Sequence, residues 1–412
     1  MNSTYWAGIL RPRVARRRII SLAAFIGAGA VVAACGGNDS SNKKPQQAAG
    51  LIYTPQDTSK SGKHGGVFRS SRTNEPLNFD LQSFDQTKAP FSNVVGSQLV
   101  KMKPGHLEDP SLQVEGDLVQ SWEFSPDMLT LTLKLHPQAK WSPLSRSFHD
   151  GIAANVASSV ANRTVDSDDV AFSWERFKSH ASAIGRLDLA NEAAPSAPVL
   201  SLTKLDTRTI QFKLTKPFAP LLTTLARPNA GYFYVLPKEG RDGGIDFLKY
   251  QIGAGPFYVD KFEPSTNITL KRNPNYELRD EYKRPFVDTV ELPLVRETAQ
   301  AMAQYRAGNV FVAPNSTLIG AEEVIRLKRD FPEHLLLATY TCTNEALFFG
   351  SGRESPFKDV RVRQAFSYAW DRDLLVQALF SSDKLEAAGI PANVRWTAGL
   401  PSSEVGDRKS VV

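Results

Sequence analysis

An arginine-rich head is followed by a short apolar run, Ile19 to Ala34, and this pairing constrains the chain more than any other feature. At about 1.5 Å per residue the run falls short of the roughly 20 residues needed to span a bilayer core. Basic head, apolar middle and small-residue exit have the order of an export signal, so residues 1–34 are read as a signal peptide and the fold is sought downstream. The head also explains the charge. The whole chain carries 49 Lys and Arg against 43 Asp and Glu, and five arginines (Arg11, Arg13, Arg16, Arg17, Arg18) lie before residue 34 with no acid among them. Setting them aside leaves 44 bases against 43 acids, no excess to neutralise a phosphate backbone, and no nucleic-acid partner is expected.

The exit reads Val32-Ala33-Ala34-Cys35-Gly36-Gly37 and resembles a bacterial lipobox, with small residues before the cut and a thiol placed to carry lipid. Cys35 is therefore the expected lipid-attachment residue, and the expected location is the outer face of the cytoplasmic membrane. Arg16-Arg17-Arg18-Ile19-Ile20 also resembles a twin-arginine export motif, and the general route stays open beside it. Residues 35–60 are polar and small-residue rich through Gly50 and bury too little surface to fold, so they read as a flexible tether. Only one other cysteine, Cys342, is present, which excludes a disulfide scaffold.

Beyond the tether, strand and helix patterns alternate, which indicates an α/β protein. Leu129 to Leu135 alternates with period two, the mark of a half-buried strand, and Thr209–Leu214 and Ile268–Arg272 read alike. Ser167-Asp168-Asp169 opens a helix with Ser167 as the expected cap and acids in the first turn, before apolar residues at helical spacing up to Phe177. Val362 to Phe380 is a second helical stretch, interrupted at Asp371-Arg372-Asp373.

The order of the blocks is informative. Gly116-Asp117-Leu118-Val119-Gln120-Ser121-Trp122 leads into the strand ending at Leu135, then Ala139-Lys140-Trp141-Ser142, then Asp166 to Trp174. Gly253-Ala254-Gly255-Pro256-Phe257-Tyr258 follows, with Leu270-Lys271-Arg272-Asn273-Pro274-Asn275-Tyr276, Tyr305-Arg306-Ala307-Gly308-Asn309, and Phe357 to Arg372. From about Gly65 to Asp373 this series resembles the family 5 extracellular solute-binding proteins, the peptide- and nickel-type receptors of ABC importers. Tyr340-Thr341-Cys342-Thr343 looks most like the oligopeptide receptors among them.

The resemblance implies a periplasmic binding protein type II-like fold of two lobes and three domains. Domain I is expected over 61–95 and 205–290, domain II over 96–204, and domain III over 291–412. It implies a monomer that captures oligopeptides between its lobes and passes them to permease subunits, with no cofactor. By position, Lys88, Ala89 and Pro90 in the first lobe and Tyr340, Thr341 and Cys342 in the third are the ligand-binding candidates, and ordinary loop or strand packing is their plain alternative. In the oligopeptide receptors a cysteine at this place pairs with one near the ligand's amino-group site.

Three departures stand out. Pro143 to Arg163 is longer than the family's turn and is expected to loop out as an insertion. Phe311 falls where the family usually carries an acid. The family chain also runs on well past Pro391 and Trp396, so domain III is expected to be incomplete here, with exposed apolar edges and poor solubility. The bases GATCGGAAGAGCGTCGTG, which match a common sequencing adapter, translate to Asp407-Arg408-Lys409-Ser410-Val411-Val412, so 407–412 are hypothesised to be artefactual. A genuine stop codon after Val412 on resequencing the locus removes that idea.

Catalytic patterns are weak. His64, His106, His136, His149, His180 and His334 are isolated, without metal-ligand spacing, so no metal is expected. Gly350-Ser351-Gly352 is a turn rather than a nucleophile elbow, and Gly253-Ala254-Gly255 lacks the third glycine of a phosphate loop and reads as a tight turn into a strand. Asp168-Asp169 and the charges at Asp359, Arg361, Arg363, Asp371 and Arg372 have ready structural uses at helix ends. A binding protein, not an enzyme, is the leading class. The alternatives are the same scaffold with other cargo (a nickel chelate, haem, a sugar or an opine-like solute) and a membrane-anchored hydrolase.

Overall fold

Alternating side chains build the larger sheet. In β5 (Thr130–Leu135) Leu131, Leu133 and Leu135 are buried while Lys134 is exposed, and in β7 (Thr209–Leu214) Ile210, Phe212 and Leu214 are buried. The two run antiparallel with Leu131 opposite Phe212 and Leu133 opposite Ile210, so large apolar pairs stack on one face. With β4 (Val119–Phe124) and β6 (Val199–Lys204) they form an antiparallel sheet in the order β4-β5-β7-β6. These facts come from a computed structural model that describes residues 56–85, 87, 92, 94–103, 113–314, 319–332, 350, 352, 354–369 and 371–390.

A helix covers this sheet. In α2 (Ser167–Ser179) Val170, Trp174 and Phe177 are buried, and the Trp174 ring meets Phe212 and Phe233 edge-on at 5.2 and 5.4 Å. Its cap is one residue earlier than the sequence predicts. Asp166 is the N-cap, accepting from the amides of Asp168 and Asp169, while Asp169 reaches back to the Asp166 amide at 2.9 Å. Ser167 instead donates its hydroxyl to the Asp206 carbonyl at 2.6 Å. A carboxylate that satisfies two amides outcompetes a neighbouring hydroxyl for the cap position.

The second sheet has the order β1-β10-β9-β8, from β1 (Val67–Arg69), β8 (Phe257–Glu263), β9 (Asn267–Arg272) and β10 (Thr289–Pro293). Only β1 with β10 is parallel; the remaining pairs are antiparallel. Phe79, Val95, Phe148, Val259, Leu270 and Leu292 form its core. The short pair β2 (Val100–Met102) and β3 (Val114–Gly116) stands apart. The turn before β8 requires glycine through close approach: a Cβ on Gly253 would lie 1.8 Å from the Val95 carbonyl oxygen. The reading of a tight turn into a strand holds.

Residues 143–163 do not loop out. Phe148, His149, Ile152 and Val160 are buried, α1 (Ala154–Val160) forms, and Phe148 packs edge-on against Phe79 at 4.9 Å. The segment carries its own apolar and aromatic area, so folding it down recovers surface that a free loop would waste. The β6–β7 hairpin lies on both sides of the expected 204/205 domain boundary, and β10 straddles 290/291.

Shorter helices complete the described residues: α3 (Arg186–Leu189), α4 (Leu221–Leu225), α5 (Thr298–Arg306), α6 (Ala321–Asp330), α7 (Val360–Ala369), α8 (Arg372–Phe380) and α9 (Ser382–Ala387). The expected interruption near Asp371 is a real helix boundary, because the Asp371 carboxylate caps α8 by accepting from the Leu374 amide at 3.0 Å. Phe311 lies half-exposed with its ring 5.9 Å from Phe68.

Candidate functional site

Every candidate residue named from the sequence, Cys35, Lys88, Ala89, Pro90, Tyr340, Thr341 and Cys342, lies outside the described residues. The structure describes residues 77–85 and 87, which precede Lys88 in sequence. They contribute to two buried polar clusters, neither of which has a local sequence signature.

The first cluster surrounds Asp80. Both Arg176 nitrogens donate to its carboxylate, His180 Nε2 lies 3.2 Å from it, and the Gln82 amide donates to it at 3.1 Å. Arg176 also donates to Gln82 Oε1 at 2.9 Å, while Gln82 Nε2 donates to the carbonyls of Ser173 and Tyr234 at 3.0 and 2.9 Å. Burial by itself would raise the Asp80 carboxyl, but the hydrogen bonds and charges of His180 and Arg176 outweigh it and hold the group down at about 2. This cluster fastens residues 80–82 to α2.

Arg72, Asp85 and Thr87 make the second cluster. Asp85 Oδ1 accepts from the Thr87 amide at 2.9 Å and its hydroxyl at 2.6 Å, and Asp85 Oδ2 accepts from the Leu77 amide at 3.0 Å. Arg72 Nη2 donates to the Thr87 carbonyl. Burial lowers the Arg72 guanidinium to about 10, against the opposing pull of Asp85.

Elsewhere an open cleft of about 300 Å³ is lined by Lys101, Pro256, Phe257, Tyr276, Arg284, Pro285 and Phe286. Its cations are engaged. Lys101 donates to Tyr276 Oη at 3.0 Å and pairs with Glu115 at 3.2 Å, and Arg284 pairs with Asp280 at 2.7 Å. The expected carboxylate pair has a structural setting too: Asp169 is gripped by Arg163 at 2.7 Å, and Asp168 is paired with Lys204. Among the described residues no group of three His, Cys, Asp or Glu side chains is placed to hold a metal ion, and no helix is long and apolar enough to cross a membrane.

A helix-covered antiparallel sheet and a second, mixed sheet give the α/β architecture that the sequence predicts, and the solved structures it matches are of the periplasmic binding protein type II fold class. Solved structures share it. NikZ from Campylobacter jejuni in complex with Ni(L-His) matches with a TM-score of 0.55 and 23% identity, covering 78% of this chain and 55% of that one. The dipeptide binding protein from Pseudoalteromonas sp. SM9913 in complex with Met-Leu matches with a TM-score of 0.54 and 16% identity, covering 76% and 59%.

The family model described as bacterial extracellular solute-binding proteins, family 5 Middle, matches residues 113–408, and the chain belongs to that family. The dipeptide-binding protein of Escherichia coli K12 is 25% identical over 362 residues, which is 85% of this chain and 59% of that protein. The chain thus spans about half to three fifths of the length of the curated relatives it matches.

Proposed function

We propose that this chain is the substrate-binding lipoprotein of an ABC importer, capturing oligopeptides in a cleft between its lobes and delivering them to a permease. The observation that carries the reading is the family match across residues 113–408, joined to the likeness to the E. coli dipeptide-binding protein. Cys35 carries the lipid anchor on the outer face of the cytoplasmic membrane, and the residues after it form the tether. The domain partition is part of the proposal, with β7 grouped with its partners β5 and β6.

Peptides of many sequences share one main chain. A receptor that pairs with that main chain in strand fashion gains the same hydrogen bonds from each, while side chains enter roomy pockets. Lys88, Ala89 and Pro90 face Tyr340, Thr341 and Cys342 across the cleft in this scheme, and hinge closure buries the peptide. The binding role requires no catalytic group, no cofactor and no second subunit. Calorimetry of the whole protein with a pool of short peptides tests the reading, and absence of binding at every peptide length ends it.

A second reading keeps the scaffold and changes the cargo. The likeness to NikZ, solved with Ni(L-His), supports considering a metal chelate. Mass spectrometry of ligand co-purified from cells separates the two.

A further inference from the structure

The open cleft of about 300 Å³ between β2, the start of β8 and the β9–β10 connection has no part in the peptide reading. Its walls are fixed. Phe257 and Tyr276 are buried, and Phe286 is held by the His64 ring edge-on at 5.5 Å and by the Gly65 amide, which donates to its carbonyl at 2.9 Å. Pro256 and Pro285 add two rigid apolar faces. The volume stands at the lower end of the roughly 300–1,000 Å³ range of small-molecule sites.

The cations at this cleft are engaged without being saturated. Lys101 has three N–H donors, of which Tyr276 Oη at 3.0 Å and Glu115 at 3.2 Å take two. Arg284 commits Nε and Nη2 to Asp280, at 3.0 and 2.7 Å, and its Nη1 donates to no described residue. Glu115 acts on the charge of both cations, so both stand beside one carboxylate. Among the described residues no acidic side chain lines the cleft, and Asp117 nearby pairs with Arg279 at 3.3 Å. Spare donors thus border a ring-lined apolar wall. An ammonium finds no counter-charge there, which disfavours an amino acid or a peptide. A small inorganic anion leaves the walls unused. A flat apolar body with one carboxylate uses both features.

We propose that this cleft is a binding site for a small aromatic monocarboxylate, separate from the peptide site, with its ring against Phe257, Pro285 and Phe286 and its carboxylate between Lys101 and Arg284. The assignment stands whether or not the chain binds peptides.

The test titrates the whole protein calorimetrically with 2-naphthoate, with its neutral counterpart 2-naphthamide, and with acetate. Naphthoate is expected to bind saturably, naphthamide about tenfold more weakly for want of the charged contact, and acetate not at all for want of a ring. Lys101→Gln is expected to weaken naphthoate about tenfold and to leave naphthamide unchanged, whereas Phe286→Ala weakens both. No naphthoate binding by the wild type overturns the proposal, as does equal affinity for naphthoate and naphthamide. Full affinity in both variants places the ligand elsewhere, and displacement of naphthoate by trialanine places it in the peptide cleft; either result overturns the site. Should Phe286→Ala fail to fold, Lys101→Gln decides by itself: loss of the preference for naphthoate over naphthamide supports the site, and an unchanged preference overturns it. Naphthoate binding in a protein that takes no trialanine ends the peptide reading and leaves this site standing.

Discussion

Around Asp80 the chain is tied to α2 and its C-terminal end by the Arg176 guanidinium and the neighbouring His180 imidazole, whereas Asp85 accepts from Thr87 and Leu77, and the Arg72 side chain reaches the Thr87 carbonyl from beyond β1. The first tie is saturated: the carboxylate accepts from Arg176, His180 and the Gln82 amide, and Gln82 locks the same stretch to Ser173 and Tyr234. In the second, Asp85 shapes the chain by accepting from Thr87 and Leu77. One is a charge cluster that reaches across 96 residues, and the other is a local turn closed by a carboxylate.

The sharpest way to break this comparison is to neutralise the strong end. Asp80→Asn keeps the shape but leaves Arg176 without its counter-charge, and a loss of about 3 kcal/mol in urea unfolding is expected for a broken buried pair. A change below about 1 kcal/mol contradicts the ranking of the two ties.

Acid reads the Asp80 cluster without mutation. Asp80 has its folded pKa depressed to about 2 from an ordinary value near 3.8, so its stabilisation is present above about pH 4 and is lost as pH falls toward 2. By linkage this is worth about 2 kcal/mol. His149 acts earlier. Burial lowers it below its ordinary value near 6.5, so the folded state resists its protonation and stability declines as pH drops below that value. Melting temperature followed from pH 7.5 to pH 2 should fall in these two stages, and Asp80→Asn should remove the lower one only.

Asp85→Asn probes the lighter end. It places an NH₂ where Asp85 Oδ2 accepts from Leu77, or disturbs the pair of bonds from Thr87, at a cost of about 1–2 kcal/mol. Exchange at Thr87 should quicken while α2 stays protected. Smallest is Asp166→Ala, which removes the cap of α2 and should cost about 1 kcal/mol, read by the same denaturation, without altering exchange at Thr87.

Period two makes β5, β7 and β9 legible in the residues alone, because each strand buries one face and wets the other. Family order supplies the architecture. The ties do not announce themselves: Asp80 and Arg176 are separated by 96 residues and Arg72 meets Pro293 only through the parallel pairing of β1, so neither leaves a local pattern. The same holds for residues 143–163, whose burial depends on Phe79 and Asp260 far along the chain. The candidate ligand residues rest on resemblance alone and lie outside the described residues.

Calorimetric titration of the whole wild-type protein with short peptides tests the central claim most directly. The account predicts saturable binding, nearly independent of side-chain sequence and weakened by blocking the peptide main chain through N-methylation. Binding of Ni(L-His) with no heat from peptides of any length would contradict it.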